Sequence, residues 1–346
     1  MAILNRLATT CLLLMLTACY EQFTPDINIT PVLCVNSLIT AGEPICVDVT
    51  HTQLYTDTSW NKPEVADAVI KIYANGELKD PSYLPAEGDA IKITVESATY
   101  GYAEAEVTVP VHPTIQNVEW TPTLQNYWHN EIPDYSMLAD ITFNILVKFQ
   151  FSDPVDTRDY YHLTYSDFYN NGYDGDYDPD YNVSHPINST TFWSGTFEYD
   201  SEPIFSEHIG IFESVMGSDS FGFTFFTDTQ FSGEPYTLHL QFTNAIYRVN
   251  SIQYNPDLFD CGLTITLSSV SESYYKWTKY LWQRENGYIG ELGDIGLGDP
   301  LWAYSNVSTG AGIVAARTPQ SYNINLKDYL EETFFSNKGS VNQPTR

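Results

Sequence analysis

Basic residues are scarce in this chain: 15 lysines and arginines stand against 44 aspartates and glutamates, a formal net charge of -29. A surface of that sign repels nucleic-acid phosphates and anionic lipid headgroups, which excludes DNA and RNA as partners. Motifs of catalysis are also missing. The seven histidines are scattered singly, and there is no His-Glu-x-x-His zinc pair, Gly-x-Ser-x-Gly elbow, Walker loop or dinucleotide glycine fingerprint. Gly290, Gly293 and Gly296 neither follow a convincing strand nor open a helix, so they do not make a phosphate cradle. Beyond residue 18 no stretch reaches the roughly 18 consecutive apolar residues of a membrane helix. Cysteine is rare as well, with five in the whole chain.

One of those cysteines has a telling position. Arg6 precedes an apolar run that ends Leu12-Leu13-Leu14-Met15-Leu16, the layout of a secretory signal peptide and too short to span a bilayer. Leu16-Thr17-Ala18-Cys19 then resembles the bacterial lipobox, which makes residues 1–18 the signal peptide and Cys19 a lipid attachment site carrying palmitate-type acyl chains. Residues 19–27 form the lipidated tether. An ordinary signal peptide with a chance cysteine is the alternative. Glu21, close behind the anchor, resembles a surface-export signal; retention on the periplasmic side stays open.

The mature chain reads as mainly β. Leu33, Val35, Val47 and Val49 share one face of a proposed hairpin, and Asn36, Asp48 and Thr50 the other. Ala68, Ile70 and Ile72 continue the alternation up to Asn75-Gly76, a pair suited to a tight hairpin turn. Ile91, Ile93 and Val95, then Ala103, Ala105, Val107 and Val109, add two more strands. These elements predict an immunoglobulin-like sandwich over residues 28–112. A larger β domain is expected over 113–335, with strands at Ile141–Phe149, Tyr160–Tyr165, Phe221–Phe226, Tyr236–Phe242 and Leu263–Leu267, and a flexible tail over 336–346. One amphipathic helix is expected near residues 270–285. Val270, Tyr274, Trp277 and Leu281 stack on one face, Ser269 and Glu272 fit a capping box, and Gly287 supplies the stop.

The hairpin also rules on the cysteines. A loop over Thr40–Pro44 sets Leu38 opposite Cys46 and Cys34 opposite Thr50, so the two sulfurs stand four residues out of register, roughly 13 Å at the usual strand rise. Cys34, Cys46 and Cys261 are therefore expected as free thiols.

Two clusters carry candidate binding chemistry. Asp174, Asp176, Asp178 and Asp180 place carboxylates at alternate positions, a pattern able to hold calcium, although Pro179 and His185 occupy positions an EF-hand loop reserves for glycine and glutamate. A solvated acidic loop is the plainer reading. Tyr169, Tyr173, Tyr177 and Tyr181 flank the run and offer rings for stacking a sugar, peptide or cofactor; a crust of tyrosines over a β core would look the same.

Four stretches together resemble the domain of unknown function 4249 family, a group of Bacteroidota lipoproteins. They are Pro31 to Pro44 with its Val35-Asn36-Ser37-Leu38 centre, Val65 to Ile70, Thr227 to Gly233, and Asp299-Pro300 through Tyr304-Ser305-Asn306 to Gly310 and Gly312. Leu301-Trp302 and Ile313-Val314 depart from phenylalanines usual in the family but keep bulk and apolarity. The resemblance implies an outer-membrane lipoprotein, held by its lipid anchor and often encoded beside TonB-dependent transporters, and brings no catalytic residues. The expected function is a cell-surface lipoprotein that binds a nutrient or assists its uptake. A structural or adhesive surface module is the second reading, and an enzyme acting on glycans or peptides through a carboxylate pair the third.

Overall fold

The computed structural model describes residues 30–53, 62–132, 136–155, 157–171, 189–206, 223–251, 259–286 and 302–336. From Val32 onward the described residues belong to one compact unit. The chain is mainly β, as its alternating pattern requires.

Three sheets are formed by the described residues. The first has six strands in the order β12-β9-β14-β15-β1-β2: β1 (Leu33–Thr40), β2 (Asp48–His51), β9 (Tyr160–Asn171), β12 (Phe225–Thr227), β14 (Phe259–Val270) and β15 (Ala311–Asn325). The second runs β10-β13-β8-β7, with β7 (Thr114–Ile132), β8 (Ser136–Ser152), β10 (Ser189–Trp193) and β13 (Tyr236–Ser251); β11 (Thr196–Phe197) also pairs with β13. The third is β4-β3-β5-β6, from β3 (Val69–Ala74), β4 (Glu77–Leu78), β5 (Ala90–Ser97) and β6 (Gly101–Thr108). Two helices complete the described residues, α1 (Glu272–Asn286) and α2 (Lys327–Ser336).

Alternation explains which faces meet. Ile141, Phe143, Ile145, Val147, Phe149 and Phe151 of β8 point into a core shared with Leu163, Leu263, Ile265, Leu267 and Ile324 of the six-stranded sheet. Leu326, just before α2, and Leu330 within it join that core. A second core joins Leu33, Val35 and Ile39 of β1 to Ile91, Ile93, Val95, Ala103 and Ala105, with Val307, Val314 and Ala316 completing it. The six-stranded sheet therefore serves both cores, one at each end.

The immunoglobulin-like sandwich expected over residues 28–112 takes one sheet neighbour from outside that range. β1 pairs with β2 as expected, Cys34 opposite Thr50, but its other edge pairs in parallel with β15, from Cys34↔Ala311 to Thr40↔Arg317. The layer opposite the four-stranded sheet is thus completed by residues from near the end of the chain. Strand periodicity reports which residues face a core; it does not report which strand supplies the neighbouring edge.

β15 is itself spliced between two partners. Its first half lies beside β1, and its second half is antiparallel to β14, from Val270↔Arg317 to Gly262↔Asn325. Side chains secure the first half. Asn36 Oδ1 accepts from Ile313 N at 3.1 Å, Asn306 exchanges two bonds with the backbone of Val314 at 2.8 and 2.9 Å, and Ser271 Oγ accepts from Ala316 N at 3.0 Å.

The helix is where the periodicity puts it, with two adjustments. Ser271, not Ser269, caps it, its Oγ accepting from Tyr274 N at 3.3 Å, because Ser269 is still inside β14 and opposite Thr318. The deeply buried positions are Tyr275 and Trp282, one residue along from the expected stripe; they pack with Tyr160, Phe223, Phe225 and Val270, and Tyr274 sits at the edge of that cluster. Gly287 lies outside the described residues. α2 was not expected, and it takes in Ser336, which the reading of the sequence assigned to the tail; residues 337–346 are outside the description. Nor were β7 and β15 anticipated. Cys34, Cys46 and Cys261 are free, and burial pushes the Cys261 thiol pKa up.

Gly312 makes the β1–β15 pairing testable. Its φ is +107°, and a Cβ there would meet the Val35 carbonyl oxygen at 2.2 Å. Gly312→Ala is expected to lower stability by about 3 kcal/mol in urea titration, combining backbone strain with the clash. Gly42→Ala, also at positive φ but with nothing within 4 Å, should cost only about 1 kcal/mol.

Candidate functional site

The most unusual chemistry lies where the two large sheets meet. β8 ends at Ser152, and the chain turns through Asp153-Pro154 before β9 begins at Tyr160. β12 pairs with β9 over Thr227↔Tyr160, and a single 3-10 turn, Asp228–Gln230, follows it. The three elements bring Asp153, Asp159 and Asp228 together, with one carboxylate oxygen of each within 4.8 Å of the others. Beneath them Phe151, Tyr161, Phe226, Phe231 and Tyr236 pack ring against ring, with centroids between 4.7 and 6.4 Å apart.

Hydrogen bonds orient two of the acids. Asp153 accepts from the Tyr161 hydroxyl through Oδ1 and from Gly233 N at 2.8 Å through Oδ2. Thr157 donates to Asp159. Burial raises the pKa of both carboxyls; the Asp153 donors oppose the rise, and the Asp228 charge adds to it in each. Burial, then the bond to Asp153, pushes the Tyr161 phenol up, so it stays a donor. No lysine or arginine forms an ion pair with any of the three acids among the described residues.

A different kind of surface lies on the outer face of the four-stranded sheet. A groove of about 560 Å³ there is lined by Tyr73, Lys92, Thr94, Tyr102, Glu106 and Thr108 among others. Tyr73 is opposite Lys92, and Lys92 opposite Glu106, so the rings and charges share a face. Lys92 Nζ is 2.9 Å from Glu104 and 3.2 Å from Glu106, while Tyr102 donates to Glu104. With Lys92 held between two glutamates, the groove presents two tyrosine rings and the hydroxyls of Thr94 and Thr108.

Of the site residues expected from sequence, Tyr169 is in β9, opposite Cys261, with more than half of its surface exposed. Cys19, Asp174, Asp176, Asp178, Asp180, Tyr173, Tyr177 and Tyr181 lie outside the described residues. The three-aspartate corner was not anticipated. Asp153 and Asp159 are six positions apart and Asp228 a further 69, so only the β9–β12 pairing unites them. The one available signal was the proximity of Asp228 and Gly233 within the Thr227–Gly233 stretch.

On the opposite face of β9 from Tyr161, His162 lies flat on Phe225, ring centroids 3.7 Å apart.

A family model described as "Domain of unknown function (DUF4249)" matches residues 20–323. No curated protein and no solved structure matches the chain.

Titration separates the two faces of β9. Burial and the charge of Arg317 push the His162 pKa down from 6.5 to about 4, so on acidification the unfolded chain takes up this proton first. Its stability contribution is present above pH 6.5 and is lost as the pH falls toward 4, by about 3 kcal/mol at most. Asp153 and Asp159 have raised pKa values and act oppositely: their penalty is present at neutral pH and is relieved by acid. Urea melts at pH 7 and 4.5 should show His162→Gln losing less stability on acidification than the parent.

Proposed function

The chain belongs to the DUF4249 family, and from that premise we propose that it is a surface-exposed outer-membrane lipoprotein, anchored through Cys19, that binds a nutrient or assists its uptake beside a TonB-dependent transporter. The observation carrying this reading is the Leu16-Thr17-Ala18-Cys19 lipobox behind an apolar leader, with the family match opening at the next residue, 20. Removal of the leader would leave a β-rich body on an acyl chain. No helix among the described residues is long and apolar enough to cross a membrane. The acidic body repels anionic headgroups, which favours a tethered protein standing clear of the bilayer over one lying on it.

The groove of Tyr73, Lys92, Thr94 and Tyr102 supports the binding half of the proposal. It is open, carries two aromatic rings and has its one lysine paired with two glutamates. Such a surface suits capture of a polar neutral solute for delivery. No catalytic step is assigned to it.

Anchoring and partnership are tested separately. Cys19→Ala should abolish incorporation of labelled palmitate and release the protein from the membrane fraction. Mild detergent extraction of the parent should bring down a large β-barrel protein identifiable by mass spectrometry; repeated recovery of the lipoprotein alone would remove the transporter from the proposal while leaving the anchor intact.

A further inference from the structure

We propose that Asp153, Asp159 and Asp228 bind one hard divalent cation, calcium first among them, which clamps the β8–β9 turn to the 3-10 turn after β12. The geometry is of the right size. Calcium holds oxygens at about 2.3–2.6 Å, so ligands on opposite sides of it stand about 5 Å apart, and the three carboxylate oxygens here lie within 4.8 Å. Magnesium, at about 2.0–2.1 Å, would need them closer.

Asp228 supplies the second, independent observation. It is 3 % exposed, its carboxylate converges with those of the other two acids, and among the described residues that carboxylate accepts no hydrogen bond, while its backbone carbonyl accepts from Phe231 N and Ser232 N. The same chain shows how it treats its other buried carboxylates. Glu202, 2 % exposed, accepts from Tyr236 OH at 2.7 Å and His239 N at 2.6 Å. Asp89, 8 % exposed, accepts from Asn75 and Ala86, each at 2.7 Å, and from the Tyr83 hydroxyl. Asp153 has its two donors. A buried carboxylate with no donor and two acidic neighbours calls for a compensating positive charge.

The orientation of the neighbours fits an ion better than a proton. Each Asp153 oxygen uses one lone pair on Tyr161 or Gly233 and keeps another for a ligand, so the donors act as outer supports that fix the carboxylate plane. Asp159 is only partly buried, which leaves one side of the site open for the waters that calcium's six to eight positions require. The bound ion would sit over the aromatic cluster and tie β8 of the five-stranded sheet to β9 and β12 of the six-stranded one. This inference does not rest on the nutrient-binding reading and stands or falls apart from it.

The test uses the full-length purified protein, stripped with EDTA and then titrated with calcium chloride alone, following thermal unfolding. With calcium a hundredfold above Kd, Tm should rise by roughly 5 °C, and magnesium should raise it less. Asp228→Asn should melt no lower than the parent in EDTA and lose the calcium response; Asp159→Asn, at the more exposed position, should lose it as well and serves if Asp228→Asn does not fold. An Asp174→Asn/Asp176→Asn/Asp178→Asn/Asp180→Asn protein should keep the full response. The proposal is overturned if calcium leaves the parent's Tm unchanged, whatever Asp228→Asn does. It is equally overturned if the response survives both single substitutions or disappears with the four-aspartate change.

Discussion

The rest of this structure depends on β15 having a hydrogen-bonded partner on each edge, with the two ladders offset along its length. β1 occupies one edge as far as Arg317, and β14 the other edge from Arg317 onward. Because one strand carries both ladders, the core under the four-stranded sheet and the core under the five-stranded sheet share a backbone. The parallel ladder demands close approach, and Gly310 and Gly312 allow it: a Cβ at either would lie within 2.6 Å of a β1 carbonyl oxygen, of Leu33 or Val35. Asn36, Asn306 and Ser271 then satisfy backbone groups of Ile313, Val314 and Ala316. These polar contacts specify one register where apolar packing alone would tolerate a slip.

At the far end of the six-stranded sheet the problem is electrostatic. The turn joining β8 to β9 carries the chain from one sheet to another, and it does so over an aromatic cluster that excludes water. Polar groups in that turn must find partners locally. Tyr161 and Gly233 serve Asp153, but the same fold brings in Asp159 and Asp228 without an ion-paired lysine or arginine among the described residues. The corner consequently gathers three acids over an apolar cluster, while on the four-stranded sheet Lys92 lies between Glu104 and Glu106.

Much of the architecture was legible in the residues. Ile91, Ile93 and Val95 are fully buried where their alternation put them. Asn75 and Gly76 take φ values of 54° and 83° as a tight turn requires, and Cys34 stands opposite Thr50. Other elements were hidden for identifiable reasons. Ile313, Val314, Ala315 and Ala316 are all buried, so the first half of β15 shows no alternation to read. β7 is an edge strand that contains Pro122, with most of its described side chains exposed, and edge strands need little apolar patterning. The helix stripe slipped by one because the packing is set by Tyr160 of β9 and by Phe223, just ahead of β12, which meet Tyr275 and Trp282.

Local chemistry, then, was enough to determine the β character, the hairpins, the free thiols and the position of the main helix, since each follows from side-chain period, turn conformation or strand rise over a few residues. The stretches that mark the family were legible as strings but not as contacts: Asn36 and Asn306 are 270 positions apart and serve the same strand, and Asp228 and Gly233 serve a turn built around Asp153. Tertiary structure alone decided that the first half of the chain borrows its sheet from the last, and that three separated aspartates face one another. Both outcomes are strand pairings at long sequence separation, and the energy of such a pairing resides in an edge that no local pattern names.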